Sequence, residues 1–78
     1  MHNILTCKDC KKGLADVWMT KDADLEYDYV ALCPFCNSES ETKTIIGLVH
    51  IGSIQGTRLK DIQITEDSSK AIIHLEKE

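Results

Sequence analysis

The sequence predicts a small, mainly antiparallel β protein that needs a cross-link to be stable, and three observations support this prediction. The chain has 78 residues, which suffice for one domain with a modest core. It has four cysteines but only one tryptophan, two tyrosines and one phenylalanine, so we expect a staple to supplement a thin core. Apolar and polar residues alternate with a period of two, which is typical of half-buried strands.

The first predicted strands lie before and between the cysteines. NILT leads into Cys7. In ADVWMT, Val17 and Met19 fall on one face, and Asp16 and Trp18 on the other, and EYDYVAL alternates in the same way. The polar segment KDADL separates these two runs, which predicts that they pair as an antiparallel hairpin between the cysteine motifs.

The second half of the chain predicts further strands. TKTIIGLVHIGSI is dense in β-branched residues and predicts one long strand, bent or bulged at Gly47 or Gly52. QGT predicts a turn, and LKDIQIT and KAIIHLE predict a C-terminal β-hairpin around EDSS. Because no linker or repeat interrupts the chain, we expect a single domain, 1–78, in which a β-strand extension, 39–78, packs on residues 1–38.

The four cysteines form two C-x-x-C motifs. Cys7 and Cys10 enclose KD, Cys33 and Cys36 enclose PF, and 22 residues separate the pairs. A C-x-x-C turn presents two sulfur atoms to one ion, and two such turns complete the tetrahedral shell that Zn²⁺ prefers. The sequence therefore predicts one metal site with Cys7, Cys10, Cys33 and Cys36 as its ligands.

The residues beside the cysteines support this prediction. A predicted strand leads into each pair, and Gly13 and Asn37 follow, which are residue types that tolerate the left-handed backbone of such turns. Pro34 presets φ inside the second turn.

Residues 4–38 resemble the zinc-ribbon group, in which two such turns, called knuckles, and a β-hairpin hold one ion. The resemblance implies that the four cysteines bind one structural Zn²⁺. A complete thiolate shell has no open position for a catalytic water, so we do not expect an enzyme. Zinc ribbons occur in transcription factors, polymerase subunits, ribosomal proteins, enzymes and phage regulators. The motif is therefore specific for metal but not for function.

Other chemistries compete for the same cysteines. CPFC is also typical of glutaredoxins, but these need a following helix and a later proline, whereas NSESETKT follows Cys36 and Pro34 is the only proline. A rubredoxin-like iron electron carrier remains an alternative, because four thiolates bind iron as well as zinc. Rubredoxins have a glycine directly after each pair, where this chain has Lys11 and Asn37.

Charge favours a protein partner over nucleic acid. The chain has 9 basic and 13 acidic residues and a formal net charge of −4, which is unlike a dedicated nucleic-acid binder. However, Lys8, Lys11 and Lys12 outnumber Asp9 around the first pair, so a nucleic-acid-binding ribbon that uses this basic rim is the alternative. Phe35, at the tip of the second knuckle, is a candidate anchor for a partner. The expected function is that of a small regulatory module that binds another protein, for example a component of the transcription machinery.

Several further expectations follow. The chain opens without a secretory signal and has no apolar run long enough to span a membrane, so we expect a cytoplasmic protein with reduced thiols. Exposed strand edges predict either a monomer or an edge-paired homodimer. His50 and His74 would form a pH-sensitive pair if their strands were neighbours. We expect Trp18, like the tyrosines, to pack in the core.

Overall fold

In the computed structural model, which describes residues 2–20 and 26–78, seven strands form two sheets. Sheet one has the order β1-β2-β5, and sheet two has the order β4-β3-β7-β6. Neighbouring strands are antiparallel except β3 and β7, which are parallel, so the prediction of a small, mainly antiparallel β fold is confirmed. The strands are β1 (His2–Thr6), β2 (Gly13–Thr20), β3 (Glu26–Leu32), β4 (Lys43–Ile46), β5 (Leu48–Ser53), β6 (Thr57–Ile64) and β7 (Lys70–Lys77).

One hydrophobic core joins the two sheets. On β2, Val17 is buried and Met19 packs against this core, as the period of two predicted. On β3, Val30 is buried as well as Tyr29 and Ala31, so both faces of that strand are covered. Thr57 is also buried, and its Oγ1 lies 2.9 Å from the carbonyl oxygen of Leu14, which links β6 to β2. The fully buried core residues besides cysteine include Leu5, Leu14 and Val17 from sheet one and Ala31, Ile45, Ala71 and Ile73 from sheet two.

The predicted hairpin of β2 and β3 is wrong. β2 pairs with β1 and β5, whereas β3 pairs with β4 and β7, so the two strands belong to different sheets. Their apolar faces meet in the same core, where Val17 and Ala31 are both fully buried. Alternation indicates which face of a strand is buried but not which strand lies beside it. The segment KDADL, 21–25, lies outside the described residues.

The long strand predicted after the second cysteine pair is instead two strands. Gly47 separates β4 from β5. Its φ is 115°, a backbone angle at which any residue other than glycine would be strained. β4 pairs with β3 in sheet two and β5 pairs with β2 in sheet one. The chain therefore passes from one sheet to the other at Gly47, while Gly52 lies inside β5.

The C-terminal hairpin of β6 and β7 is confirmed. Gly56, with φ of 95°, lies in the predicted turn before β6. β7 then pairs with β3 in parallel, so the C-terminal hairpin extends the sheet that carries the second knuckle. Within the described ranges, no helix has the length and apolar character that crossing a membrane would require.

One expectation about a single side chain is wrong, and the condition for a histidine pair is not met. Trp18 is 43% exposed, because the alternation of β2 turns it away from the core that contains Val17. His50 and His74 lie on strands of different sheets, and His74 Nε2 is 3.2 Å from Gln63 Oε1 on the neighbouring strand β6. The structure therefore does not provide the neighbouring strands that a histidine pair requires.

Candidate metal centre

The two knuckles follow β1 and β3 and have the same backbone hydrogen bonds. In each knuckle, the first cysteine accepts a hydrogen bond at its carbonyl oxygen from the residue four positions later, and its own N–H donates to the carbonyl oxygen five positions later. This repetition shows that both C-x-x-C motifs adopt one turn geometry. The bonds are Lys11 N–H to Cys7 O (3.2 Å), Asn37 N–H to Cys33 O (3.1 Å), Cys7 N–H to Lys12 O (2.9 Å) and Cys33 N–H to Ser38 O (2.8 Å).

The left-handed residue of each knuckle directly follows the second cysteine. Lys11 has φ of 63° and Asn37 has φ of 62°, so the prediction for Asn37 is confirmed and that for Gly13 is wrong. Gly13 instead begins β2, where a Cβ would lie 3.3 Å from Cγ2 of Ile4 and 3.4 Å from Cδ1 of Ile54. A glycine is therefore useful there for close packing rather than for a left-handed turn.

The four cysteine sulfur atoms converge on one point between the knuckles. All four Sγ atoms lie within 4.8 Å of one another. The Cys7 and Cys36 sulfurs are 3.4 Å apart, and the Cys10 and Cys33 sulfurs are 3.7 Å apart. Metal–sulfur bonds of about 2.3 Å in a tetrahedron place sulfurs about 3.8 Å apart, so the cluster has the size of a four-thiolate site. The four cysteines are thus positioned to bind one metal ion.

The cluster extends from the core to the surface. Cys7 and Cys33, the first cysteine of each pair, are buried within the hydrophobic cluster, Cys10 is partly buried, and Cys36 is exposed. A bound ion would therefore contact solvent on the Cys36 side only. In the described residues, no second group of three or more potential ligands was found, and neither His50 nor His74 approaches this cluster.

The thiols differ in their readiness to ionise before any metal binds. The N–H of Cys10, helped by the N–H of Asp9 and the thiol of Cys36, lowers the pKa of Cys7 to about 6 against the effect of burial. The N–H of Lys12 likewise lowers the pKa of Cys10. Burial and the three neighbouring cysteines nevertheless outweigh it and raise the pKa of Cys10 to about 11. Neutral pH therefore favours the thiolate at Cys7 and the thiol at Cys10, and the Cys10 proton leaves when a cation binds.

A segment that the sequence analysis did not single out braces both knuckles. Ser40 is fully buried; its N–H donates to the carbonyl oxygen of Ala31, and its Oγ accepts from the N–H of Ala31, each at 2.8 Å. The N–H of Lys8 donates to Glu39 O at 3.2 Å, and the Ser38 hydroxyl donates to Asp9. These bonds connect the first knuckle to residues 37–41, which follow the second knuckle. The polar sequence of this segment, NSESE, did not predict the connection.

The predicted partner-binding residues are only partly brought together. Phe35 is 37% exposed at the tip of the second knuckle, and Nζ of Lys12 lies 4.2 Å from its ring centroid. Lys8 and Lys11 are exposed on the first knuckle. Lys77, which the sequence analysis missed, places its Nζ 5.8 Å from the same ring centroid. Only the tertiary fold reveals this residue, because it lies at the end of the last strand.

The aromatic side chains do not form one stacking surface. Tyr29 is buried in the core, and Tyr27 packs against the core with its ring centroid 6.1 Å from that of Tyr29. Trp18 lies on the outer face of sheet one, whereas Phe35 lies at the knuckle tip. The tyrosines thus pack as expected, and two separate aromatic side chains remain exposed.

No protein family, curated protein or solved structure matched this chain when it was compared with them. The evidence for its function is therefore the arrangement of its own residues.

Proposed function

We propose that this protein is a non-catalytic zinc-ribbon module, in which one structural Zn²⁺ holds the two knuckles and the knuckle surface binds another protein. The observation that carries the proposal is the convergence of all four cysteine sulfurs within 4.8 Å. Four protein thiolates fill the coordination shell of Zn²⁺, so the bound ion would have no open position for a substrate or a catalytic water. Zinc would then act on stability and shape rather than on chemistry.

The composition of the site supports zinc as the ion. Thiolate ligands favour Zn²⁺ and iron over Mg²⁺ or Ca²⁺, which prefer oxygen. Reduced thiols are needed for either metal, which fits the expected cytoplasmic location. A rubredoxin-like iron carrier is the outcome that would replace this proposal, and the two metals are readily distinguished because the iron form is coloured.

Charge and exposure favour a protein partner. Four thiolates and one Zn²⁺ add two negative charges to a chain whose formal net charge is already −4, which opposes binding to a phosphate backbone. The exposed part of the knuckles nevertheless offers a basic rim, Lys8, Lys11 and Lys12, beside the half-exposed ring of Phe35. Aromatic side chains and neighbouring cations are common anchors of protein interfaces.

Edge pairing into a homodimer is less favoured on strand β6. The N–H of Leu59 already donates to Ser53 Oγ at 3.4 Å, and the N–H of Ile62 donates to Asp61 Oδ1 at 2.8 Å. Backbone amides that already donate to acceptors within the chain are less available to pair with a strand of a second copy. We therefore propose a monomer that binds through its knuckles, and gel filtration across protein concentrations tests this.

Metal analysis of the purified protein tests the zinc proposal directly. We expect one equivalent of zinc in a colourless solution. Cys36→Ser is the informative variant because its thiol is exposed, so a loss of stability would come from the lost ligand rather than from the core. Glu39→Gln, an exposed change on the neighbouring segment, is the matched control and should keep its zinc. A red, iron-containing protein would contradict the proposal, as would a Cys36→Ser variant with unchanged zinc content and melting temperature.

A further inference from the structure

We infer that Lys12, Lys77 and Phe35 form one site, and that this site binds the carboxylates of an acidic protein segment. The inference rests on the proposed function, since the metal would hold the knuckle turns that carry Lys12 and Phe35. It goes beyond the proposal by adding the end of β7 to the binding surface and by assigning the chemistry of the partner.

The geometry brings two cations to one aromatic ring. The Nζ atoms of Lys12 and Lys77 lie 4.2 and 5.8 Å from the Phe35 ring centroid. The Cζ end of the ring is close to the turn before β6, where a Cβ at Gly56 would lie 3.8 Å from Phe35 Cζ. The knuckle tip, the β5–β6 turn and the end of β7 therefore meet at this ring, which remains 37% exposed.

Both ammonium groups lack an acidic partner in the part of the chain that the structure describes. Arg58 pairs with Glu76 at 2.8 Å and Lys43 with Glu41 at 3.9 Å, but no such ion pair involves Lys12 or Lys77. In a chain with more acidic than basic residues, two ammonium groups beside one ring, neither in an ion pair with a carboxylate, make this part of the surface locally basic. The carboxylates of a bound segment would form charge-assisted hydrogen bonds with these ammonium groups.

The acidic side chain that follows Lys77 in the chain is bonded to the turn beside the ring, not to either lysine. Glu78 follows Lys77, and its Oε2 accepts a hydrogen bond from the N–H of Gly56 at 3.1 Å, while its own N–H donates to Gly56 O at 3.2 Å. These two bonds fix the end of β7 against the turn. Lys77 is thereby held beside Phe35, with its ammonium nitrogen 5.8 Å from the ring centroid.

An acidic protein segment fits this site better than a nucleic acid does. A base that stacked on Phe35 would have to compete with the Lys12 ammonium group at the ring. The net charge of −4 repels a long phosphate backbone more strongly than a segment that carries only one or two carboxylates. A peptide presents one or two carboxylates to the lysines and an apolar side chain to the exposed part of the ring. Such a ligand uses all three residues at once.

Fluorescence anisotropy with the zinc-loaded 78-residue chain tests the inference. The probe is a labelled peptide in which glutamate alternates with serine around a central leucine. A second peptide has glutamine at each glutamate position, and oligothymidylate serves as the nucleic-acid probe. We expect the glutamate peptide to bind in preference to both, with an affinity that falls as salt is added. The double variant Lys12→Gln, Lys77→Gln should weaken binding roughly tenfold, in line with two partly exposed charge pairs.

The controls separate this inference from the zinc proposal. Lys60→Gln removes an exposed lysine of β6 and should not change peptide affinity. Zinc content is measured in every preparation, so a protein without zinc fails the proposed function, while a zinc-loaded protein that ignores the peptide fails only this inference. Equal binding of the glutamine peptide, an unchanged double variant or tighter binding of oligothymidylate would each overturn it.

Discussion

The two knuckles and the turn between β6 and β7 are both tight turns, yet different interactions hold them. Each knuckle has two backbone hydrogen bonds and a left-handed residue, and its cysteines face those of the other knuckle. In the β6–β7 turn, the carboxylate of Asp67 accepts hydrogen bonds from Thr65 Oγ1 (2.7 Å), Ser69 Oγ (2.8 Å) and Ser69 N–H (3.1 Å). The knuckle cysteines are thus positioned to bind a metal ion, whereas the side chains of this turn bond to one another.

Metal removal should have the largest effect on the stability of the protein, and it acts through the knuckles. Structural zinc contributes roughly 10 to 16 kcal/mol of apparent binding energy, which is comparable to the stability of a small domain. Because Cys7 and Cys33 belong to the shared core, we expect chelation to unfold the sheets together rather than the knuckles alone. Circular dichroism before and after addition of a strong chelator measures this, and added zinc should restore the signal. A chelated protein with an unchanged melting transition would contradict it.

Acid should also release the ion, and the protonation of the thiols gives the direction of this pH dependence. Protons compete with the metal for thiolates, so zinc affinity falls as pH is lowered. The pKa of Cys7 is lowered to about 6, which favours its thiolate near neutral pH, whereas the pKa of Cys10 is raised to about 11, which favours its thiol. Binding should therefore release protons at neutral pH, which calorimetry in buffers of different ionisation enthalpy detects. Zinc binding without proton release would mean that the thiols are already ionised.

Truncation of a core side chain should have the next largest effect on stability. It should destabilise the knuckles and the β6–β7 turn alike, because both are attached to the same core. Ile73 is fully buried on β7, and Ile73→Ala should destabilise the protein by about 2 to 5 kcal/mol because it leaves a cavity between the sheets. Ile64→Ala, on the neighbouring strand, is the matched control because Ile64 is 45% exposed. Chemical denaturation of the zinc-loaded proteins measures both changes. Equal losses in the two variants would show that Ile73 is not a core residue.

Glycine substitutions in the first knuckle test whether the left-handed residue is strained. Lys11 has φ of 63°, a conformation that costs a non-glycine residue roughly 1 kcal/mol. Lys11→Gly should therefore be neutral or stabilising, since relief of strain is offset in part by the greater freedom of glycine when unfolded. Lys8→Gly, in the same knuckle but without a positive φ, should destabilise. Melting temperatures of the two zinc-loaded variants decide, and a destabilised Lys11→Gly would contradict the strain argument.

The smallest expected effect concerns the self-contained turn. The hydroxyl of Thr65, with the hydroxyl and N–H of Ser69, lowers the pKa of Asp67. The stabilising effect of the ionised carboxylate is therefore present at neutral pH and is lost as pH falls through the lowered folded value. Asp67→Asn should destabilise the protein slightly at neutral pH, and the difference from the wild type should shrink in acid. Glu66→Gln, which removes a neighbouring charge, should not show this pH dependence in denaturation experiments.

The local features of this protein could be predicted from its sequence because they arise from neighbouring residues. Alternation placed Val17 and Tyr29 on buried faces, and the run from Leu59 to the end of the chain was recognised as a hairpin. The C-x-x-C spacing identified which four sulfurs could meet. Asn37 was recognised as left-handed from its residue type, whereas Lys11 was not, because lysine carries no preference for that conformation.

The tertiary structure decided which strands are neighbours. β2 and β3 have strand patterns and a polar connection, yet they pair with other strands and face each other across the core. The parallel pairing of β3 with β7 joins residues far apart in the chain, and alternation carries no information about such a partner. The same long-range pairing brings Lys77 to the Phe35 ring. Residue types and spacing thus determined the strands and the metal ligands, whereas the requirement to bury both apolar faces in one core decided the sheet order and the surface around the knuckles.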